Sequence, residues 1–216
     1  MLRFTIFGIP TKVHWMFWVV AALLGGIGGK EMTPDRYKEV LVWIAVIFVS
    51  ILWHELGHAL TGRKYGSRPN ILLYAFGGLA INAGGRTRNQ NLHVIAAGPG
   101  FGLVLGIIAW LVWKYLMPPA YEVNHLVFHL FMSLIWVNLV WSLVNMLPIL
   151  PLDGGQFLEH WMHHRNQRLR GQIGAGVAIA VAVYALLNKQ IFMTFMFGYL
   201  AYMNYQIAER RQVKFF

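Results

Sequence analysis

The 216-residue sequence contains no cysteine, which excludes a disulfide, a thiolate metal site and a thiol nucleophile. It is also poor in charge. Asp, Glu, Lys and Arg make up 12% of residues, against about 25% in soluble globular domains, too few to cover a water-facing surface of ordinary polarity. Acidic residues are the scarcest, eight against 18 Lys and Arg, for a formal net charge of +10. In a soluble protein that excess would raise nucleic-acid binding. Here the cations sit in short segments between apolar runs, and no nucleic-acid partner is expected. There is no internal repeat and no stretch long enough for a second soluble domain. Met1–Pro10 lacks the charged, apolar and small-residue pattern of a cleaved secretory signal.

What is present is apolar: 57% of residues are hydrophobic, and the mean hydropathy is +0.52. The expected fold class is an all-α integral membrane protein with the lipid bilayer as its solvent. A single polytopic domain is expected over residues 1–216, with its core at 40–160. Six apolar stretches stand out, at Val13–Ile27, Val40–Thr61, Leu92–Met117, Leu126–Leu147, Ile173–Leu187 and Ile191–Ile207. A spanning helix needs about 20 such residues. The second, third and fourth meet that length; the others are short or interrupted by glycine. Gly98, Pro99, Gly100, Gly102 and Gly106 in the third predict an irregular, closely packed start. Six spans put both termini on one side, and that side carries 13 of the 18 Lys and Arg. By the positive-inside bias, both termini are cytoplasmic, in what is expected to be a bacterial inner membrane.

Between the second and third stretches, Ile71–Ile81 is too apolar for a solvated loop and too short to span. Divided by Gly77 and Gly78, it predicts a short membrane-associated hairpin or re-entrant piece. Such backbone is tolerated only where protein or a water-filled cavity satisfies its polar groups.

The chemistry concentrates in His54-Glu55-Leu56-Gly57-His58. Residues four apart on a helix project from one face, one turn apart, a spacing that suits two imidazole ligands of one tetrahedral Zn²⁺. Glu55 points off at about 100°, beside the metal, where a carboxylate can take a proton from the attacking water. Three ionisable residues within five positions of an apolar helix cost several kcal/mol in the bilayer without a compensating partner, and a metal is such a partner. A catalytic zinc site takes three protein ligands, and Asp153 is the candidate third. It follows Pro148 and Pro151, which break the end of the fourth stretch, and precedes Gly154 and Gly155, which permit a tight turn. A plain alternative is that Asp153 caps a helix beginning near Gln156.

With these motifs in view, the chain resembles the site-2 protease family of intramembrane zinc metalloproteases. That family pairs His-Glu-x-x-His in one transmembrane helix with a later Leu-Asp-Gly, here His54–His58 and Leu152-Asp153-Gly154. Ala97-Gly98-Pro99 and Phe76-Gly77-Gly78 extend the likeness over most of residues 40–160. The resemblance implies His54, His58 and Asp153 as ligands of one zinc ion and Glu55 as general base and later proton donor. Asn145 is implied as a donor to substrate backbone or oxyanion; interhelical hydrogen bonding is its other reading. Phe76, Gly77, Gly78, Leu79 and Ala80 would form a strand that clamps substrate by β-addition. The implied substrate is a transmembrane or membrane-associated protein, with a regulatory membrane partner or a second copy of the chain as further candidate partners. The chain departs from many relatives in having no PDZ insertion and no cystathionine-β-synthase-type domain. It also reads Gly100-Phe101-Gly102 where an Asn is common, and most resembles the six-span subgroup typified by bacterial sporulation proteases.

Other polar residues have plainer readings. His160, His163 and His164 suit a solvated basic face better than a second metal site. His14, His93, His125 and His129 read as isolated, and Glu122 and Glu159 as lacking partners at useful spacing. The rival function is a metal-ion transporter or a non-catalytic metal-binding membrane protein, which would line a path with further polar groups.

Overall fold

The computed structural model describes residues 1–27, 33–75, 77–119, 122–162 and 166–209. Phe76, His163, His164 and the terminal Arg210-Arg211-Gln212-Val213-Lys214 cluster lie outside them. The chain forms two compact bodies, Met1–Ser142 and a second beginning at Leu143.

The first body starts with strands rather than a helix. β1 (Leu2–Ile6) and β2 (Ile9–Val13) pair antiparallel around Phe7-Gly8. Both turn residues have positive φ, 48° and 76°, the backbone of a two-residue hairpin turn that follows the twist of its strands. β2 then pairs in parallel with β3 (Asn70–Tyr74), Thr11 opposite Ile71 and Val13 opposite Leu73. β3 pairs antiparallel with β4 (Gly77–Ile81), giving the order β1-β2-β3-β4. The apolar linker is therefore half of a four-stranded sheet, and the all-α expectation is corrected to a mostly helical fold with one sheet. The alternation that buries Ile9, Thr11 and Val13 while exposing Pro10 and Lys12 is a strand period, too short beside the long helical runs to register in composition.

The buried face of the sheet packs on the helices. Ile9, Val13, Ile71 and Leu73 share a core with Phe17 of α1 (Trp15–Leu24) and Val46, Ile47, Ile51 and Leu56 of α2 (Pro34–Lys64). Pro34 in the first turn and the Thr33 side chain accepting from the Arg36 amide start α2. α3 (Arg88–Leu116) opens on a capping box between Thr87 and Gln90. It runs unbroken through Gly98-Pro99-Gly100, so the irregular start predicted for this stretch is not found. The glycines serve close packing: a Cβ on Gly57 would lie 2.5 Å from the Ala97 carbonyl oxygen, and one on Gly106 would lie 2.9 Å from Leu139 Cδ2. α4 (His125–Asn145) is tied to α2 inside the apolar layer, where Asn138 Nδ2 donates to Ser50 Oγ at 2.8 Å.

The second body takes the end of α4, the turn from Met146 to Leu152, α5 (Asp153–Trp161), α6 (Gln167–Leu187) and α7 (Ile191–Ala208). Ile149 of the turn is fully buried with Ala178, Phe197, Leu200 and Ala201. Among the described residues, α2, α3, α4 and α6 are long and apolar enough to cross a membrane. α1 has ten residues, and α7, interrupted by Asn204 and Gln206, is not among the four.

Candidate metal centre

All three ionisable residues of His54–His58 are buried: His54 is 4% exposed, Glu55 5% and His58 8%. They lie 6–10 residues before the end of α2 at Lys64, about 9–15 Å along its axis. The i, i+4 spacing sets the imidazoles side by side, with His54 Nε2 and His58 Nε2 3.1 Å apart. Two nitrogens on one tetrahedral zinc, at about 2.0–2.1 Å each, stand about 3.3 Å apart.

The surrounding elements orient each group. His58 Nδ1 lies 2.7 Å from the Val94 carbonyl oxygen of α3. A carbonyl only accepts, so Nδ1 carries the proton and Nε2 presents its lone pair, the arrangement that ligating histidines take from such a partner. Gly98 of α3 lies flat against the same ring, where a Cβ would stand 2.7 Å from Cδ2 and closer to Nε2. On the other side of the motif, β4 brings Gly78 against Glu55; a Cβ there would stand 2.7 Å from the Glu55 carboxyl carbon and from Oε1. Glu55, His54, His58 and the Gly77–Ala80 strand are thus brought together within the first body. Leu79 is exposed, and β4 is an edge strand.

In the second body, Asp153 is the first residue of α5. The N-cap is Leu152, which makes no side-chain cap hydrogen bond. Asp153 therefore does not cap a helix starting near Gln156; it stands in the first turn, where the helix macrodipole favours an ionised carboxylate. Gly154 and Gly155 allow α5 to start hard against the preceding turn, and a Cβ on Gly155 would stand 2.6 Å from the Ile149 carbonyl oxygen. Asn145 is the last residue of α4 and is half-buried. The His54 and His58 imidazoles of the first body are donors of the kind a zinc ion takes, and the Asp153 carboxylate of the second body is of that kind as well. The lone pair turned outward on His58 and the side-chain-free wall at Gly98 fit it too.

Several residues have partners that sequence spacing did not reveal. Glu159 pairs with Arg170 at 2.8 Å. His125 Nε2 lies 3.5 Å from Glu39, itself held by Arg36 at 2.7 Å. His93 meets the Tyr65 hydroxyl at 2.9 Å, and His14 Nδ1 accepts from the Met16 amide at 3.2 Å. Asn138 and Asn204 also form buried hydrogen bonds, and an amide inside an apolar run is the sequence signal for such a contact.

Residues 117–188 match the family described as Peptidase family M50. The chain is 28% identical over 196 residues to the zinc metalloprotease MJ0392 of Methanocaldococcus jannaschii, covering 88% of this chain and 55% of that protein. It is 30% identical over 209 residues to the putative zinc metalloprotease Rip3 of Mycobacterium tuberculosis, covering 84% and 49%. The chain therefore spans about half the length of these curated relatives. Among solved structures, a site-2 protease from M. jannaschii superposes with a TM-score of 0.61 at 26% identity, covering 99% of this chain and 97% of that one. With four apolar helices of spanning length, the chain is an integral membrane protein.

Proposed function

We propose that the chain, which matches Peptidase family M50 over residues 117–188 and is similar to a site-2 protease of known structure, is an intramembrane zinc metallo-endopeptidase that cleaves a peptide bond within or beside a transmembrane segment of a membrane protein. The observation that carries this reading is the buried His54-Glu55-His58 turn in a helix apolar enough to cross the bilayer, with His58 fixed to offer Nε2. The ligands are His54, His58 and Asp153, and one zinc ion is held per chain. When bound, the ion supplies Lewis acidity toward the scissile carbonyl and lowers the pKa of water beside it. Glu55 takes the proton of the attacking water and delivers it to the leaving amine. Glu55 is buried, and the wall at Gly78 limits where its carboxylate can swing. Asn145 donates to the substrate backbone or the developing oxyanion. The free edge of β4 pairs with substrate backbone, with Gly77, Gly78, Leu79 and Ala80 along it. An intact substrate helix hides its amides in its own hydrogen bonds, so the segment unwinds before cleavage.

We take residues 1–216 as one peptidase domain with its core at 40–160, and the membrane as a bacterial inner membrane crossed six times with both termini cytoplasmic. Contacts along α2 support the first crossing. Arg63, near its C-terminal end, donates to the Phe7 carbonyl, while Arg36, near its N-terminal end, donates to the Gly25 carbonyl at 2.8 Å. The chain between Phe7 and Gly25 thus runs the length of a helix about 45 Å long. The metal-transport reading lacks support, because Ser50 and Asn138 satisfy one another instead of lining a path.

Comparative proteomics of native membranes expressing the wild type or Glu55→Gln tests the reading. At least one membrane protein is expected to persist uncut in the variant and to yield a fragment ending within or beside a transmembrane segment in the wild type. Identical fragment profiles would sink it.

A further inference from the structure

The turn from Met146 to Leu152 is non-helical backbone next to an apolar helix, the arrangement in which unpaired amide and carbonyl groups are most costly. Leu150, at its centre, is 6% exposed. Its backbone is satisfied by one side chain: the Leu150 amide donates to Asn204 Oδ1 at 3.1 Å, and Asn204 Nδ2 donates to the Leu150 carbonyl at 2.8 Å. The Asn204 amide thereby stands in for the edge of a neighbouring strand. Asn204 is itself held. It is 1% exposed, and Nδ2 also donates to the Leu200 carbonyl one turn back on α7 at 2.8 Å. Gly174 of α6 backs it, where a Cβ would stand 2.8 Å from Asn204 Cγ and 3.2 Å from the Pro148 carbonyl oxygen. Leu150 is three residues from Asp153, and α5, which Asp153 begins, is joined to α6 by the Glu159–Arg170 pair.

We propose that Asn204 is a positioning residue for the metal centre: by fixing both backbone groups of Leu150 from α7, it sets the place of the turn that delivers Asp153. The inference rests on the reading of Asp153 as a zinc ligand. An amide in an apolar helix satisfied only for packing would need one partner; Asn204 uses its oxygen and its nitrogen on the same residue of the turn. The last helix therefore acts on the ligand set through two hydrogen bonds.

Zinc affinity, measured by chelator competition on the purified full-length protein, separates the two layers of the claim. Asp153→Ala is expected to lower affinity at least 100-fold; wild-type affinity in that variant would overturn the ligand reading and the inference with it. Asn204→Leu, of similar volume but unable to pair with Leu150, is expected to lower affinity about 10- to 100-fold, the range seen when a partner orienting a ligand is lost. Met203→Ala, which opens a cavity at a buried neighbour on α7, is expected to weaken the fold while leaving affinity within about threefold. Asp153→Ala impaired with Asn204→Leu at wild-type affinity would overturn the inference alone, and so would an equal loss in Met203→Ala. Should Asn204→Leu not fold, hydrogen exchange of the wild-type protein decides. The Leu150 amide is expected to be protected to the level of the α7 helix, and exchange at the rate of an open loop would contradict the assignment.

Discussion

Gly77 and Gly78 are neighbours on β4 with opposite surroundings. A Cβ on Gly77 meets nothing within 4 Å, whereas one on Gly78 runs into the Glu55 side chain. Gly77→Ala, on the proposed substrate-pairing edge but clear of Glu55, is therefore expected to act on KM rather than on kcat. Gly78→Ala displaces Glu55, the proposed general base, and is expected to lower kcat about 100-fold or more while zinc content stays at one per chain; steady-state kinetics with metal analysis checks both. Gly98→Ala strikes the His58 ring instead and should lower zinc affinity about tenfold or more, read by chelator competition. At this scale the sequence was legible where chemistry and helical spacing coincide: His54, Glu55 and His58 fall on adjoining faces of a helix whatever packs around them. Gly78 and Gly98 carried no such signal, because a glycine at a close approach is recognisable only once the approaching segment is known. For Asp153 the sequence admits both capping and ligation; Leu152 occupies the N-cap position, and ligation is the proposal.

The long helices were legible as apolar runs. α2, α3 and α6 extend past the stretches read from hydropathy, since polar and charged end turns, such as Asp35 and Lys64 on α2, belong to the helix without belonging to the apolar layer. The sheet was half legible. Two glycines divide Ile71–Ile81 into a hairpin, but the N-terminal strands depend on a parallel partner 60 residues away. Polar links inside the apolar layer were the least legible, because an Asn at depth gives no clue to which helix it meets. Asn138 makes hydrogen bonds to Ser50 Oγ and the Leu134 carbonyl, both at 2.8 Å. Asn138→Leu is expected to destabilise the protein in detergent by about 0.6–2 kcal/mol. In a double-mutant cycle, part of that loss should disappear in a Ser50→Ala background, as read from thermal unfolding.

Across the whole molecule, the 13-to-5 division of Lys and Arg and the two arginine contacts at opposite ends of α2 point to one topology. The cysteine-free sequence makes it directly testable by single-cysteine labelling in sealed membranes. Cysteines at Arg3, Arg68 and Arg168 are expected to react from the cytoplasmic side, and those at Lys38 and Lys189 only from the other. Arg3→Cys reacting together with Lys38→Cys would remove the first crossing. The proposed function at this scale rests on the same proposed polarity, which would bring the His54–His58 end of α2 to the cytoplasmic half of the bilayer. The central claim is peptide hydrolysis by a zinc centre using Glu55. Its most direct test is cleavage of a membrane-segment substrate by purified protein in proteoliposomes, comparing the wild type with Glu55→Gln at equal zinc content. The account predicts chelator-sensitive cleavage by the wild type and a loss of about 100- to 10,000-fold in the variant; equal rates in the two proteins would contradict it.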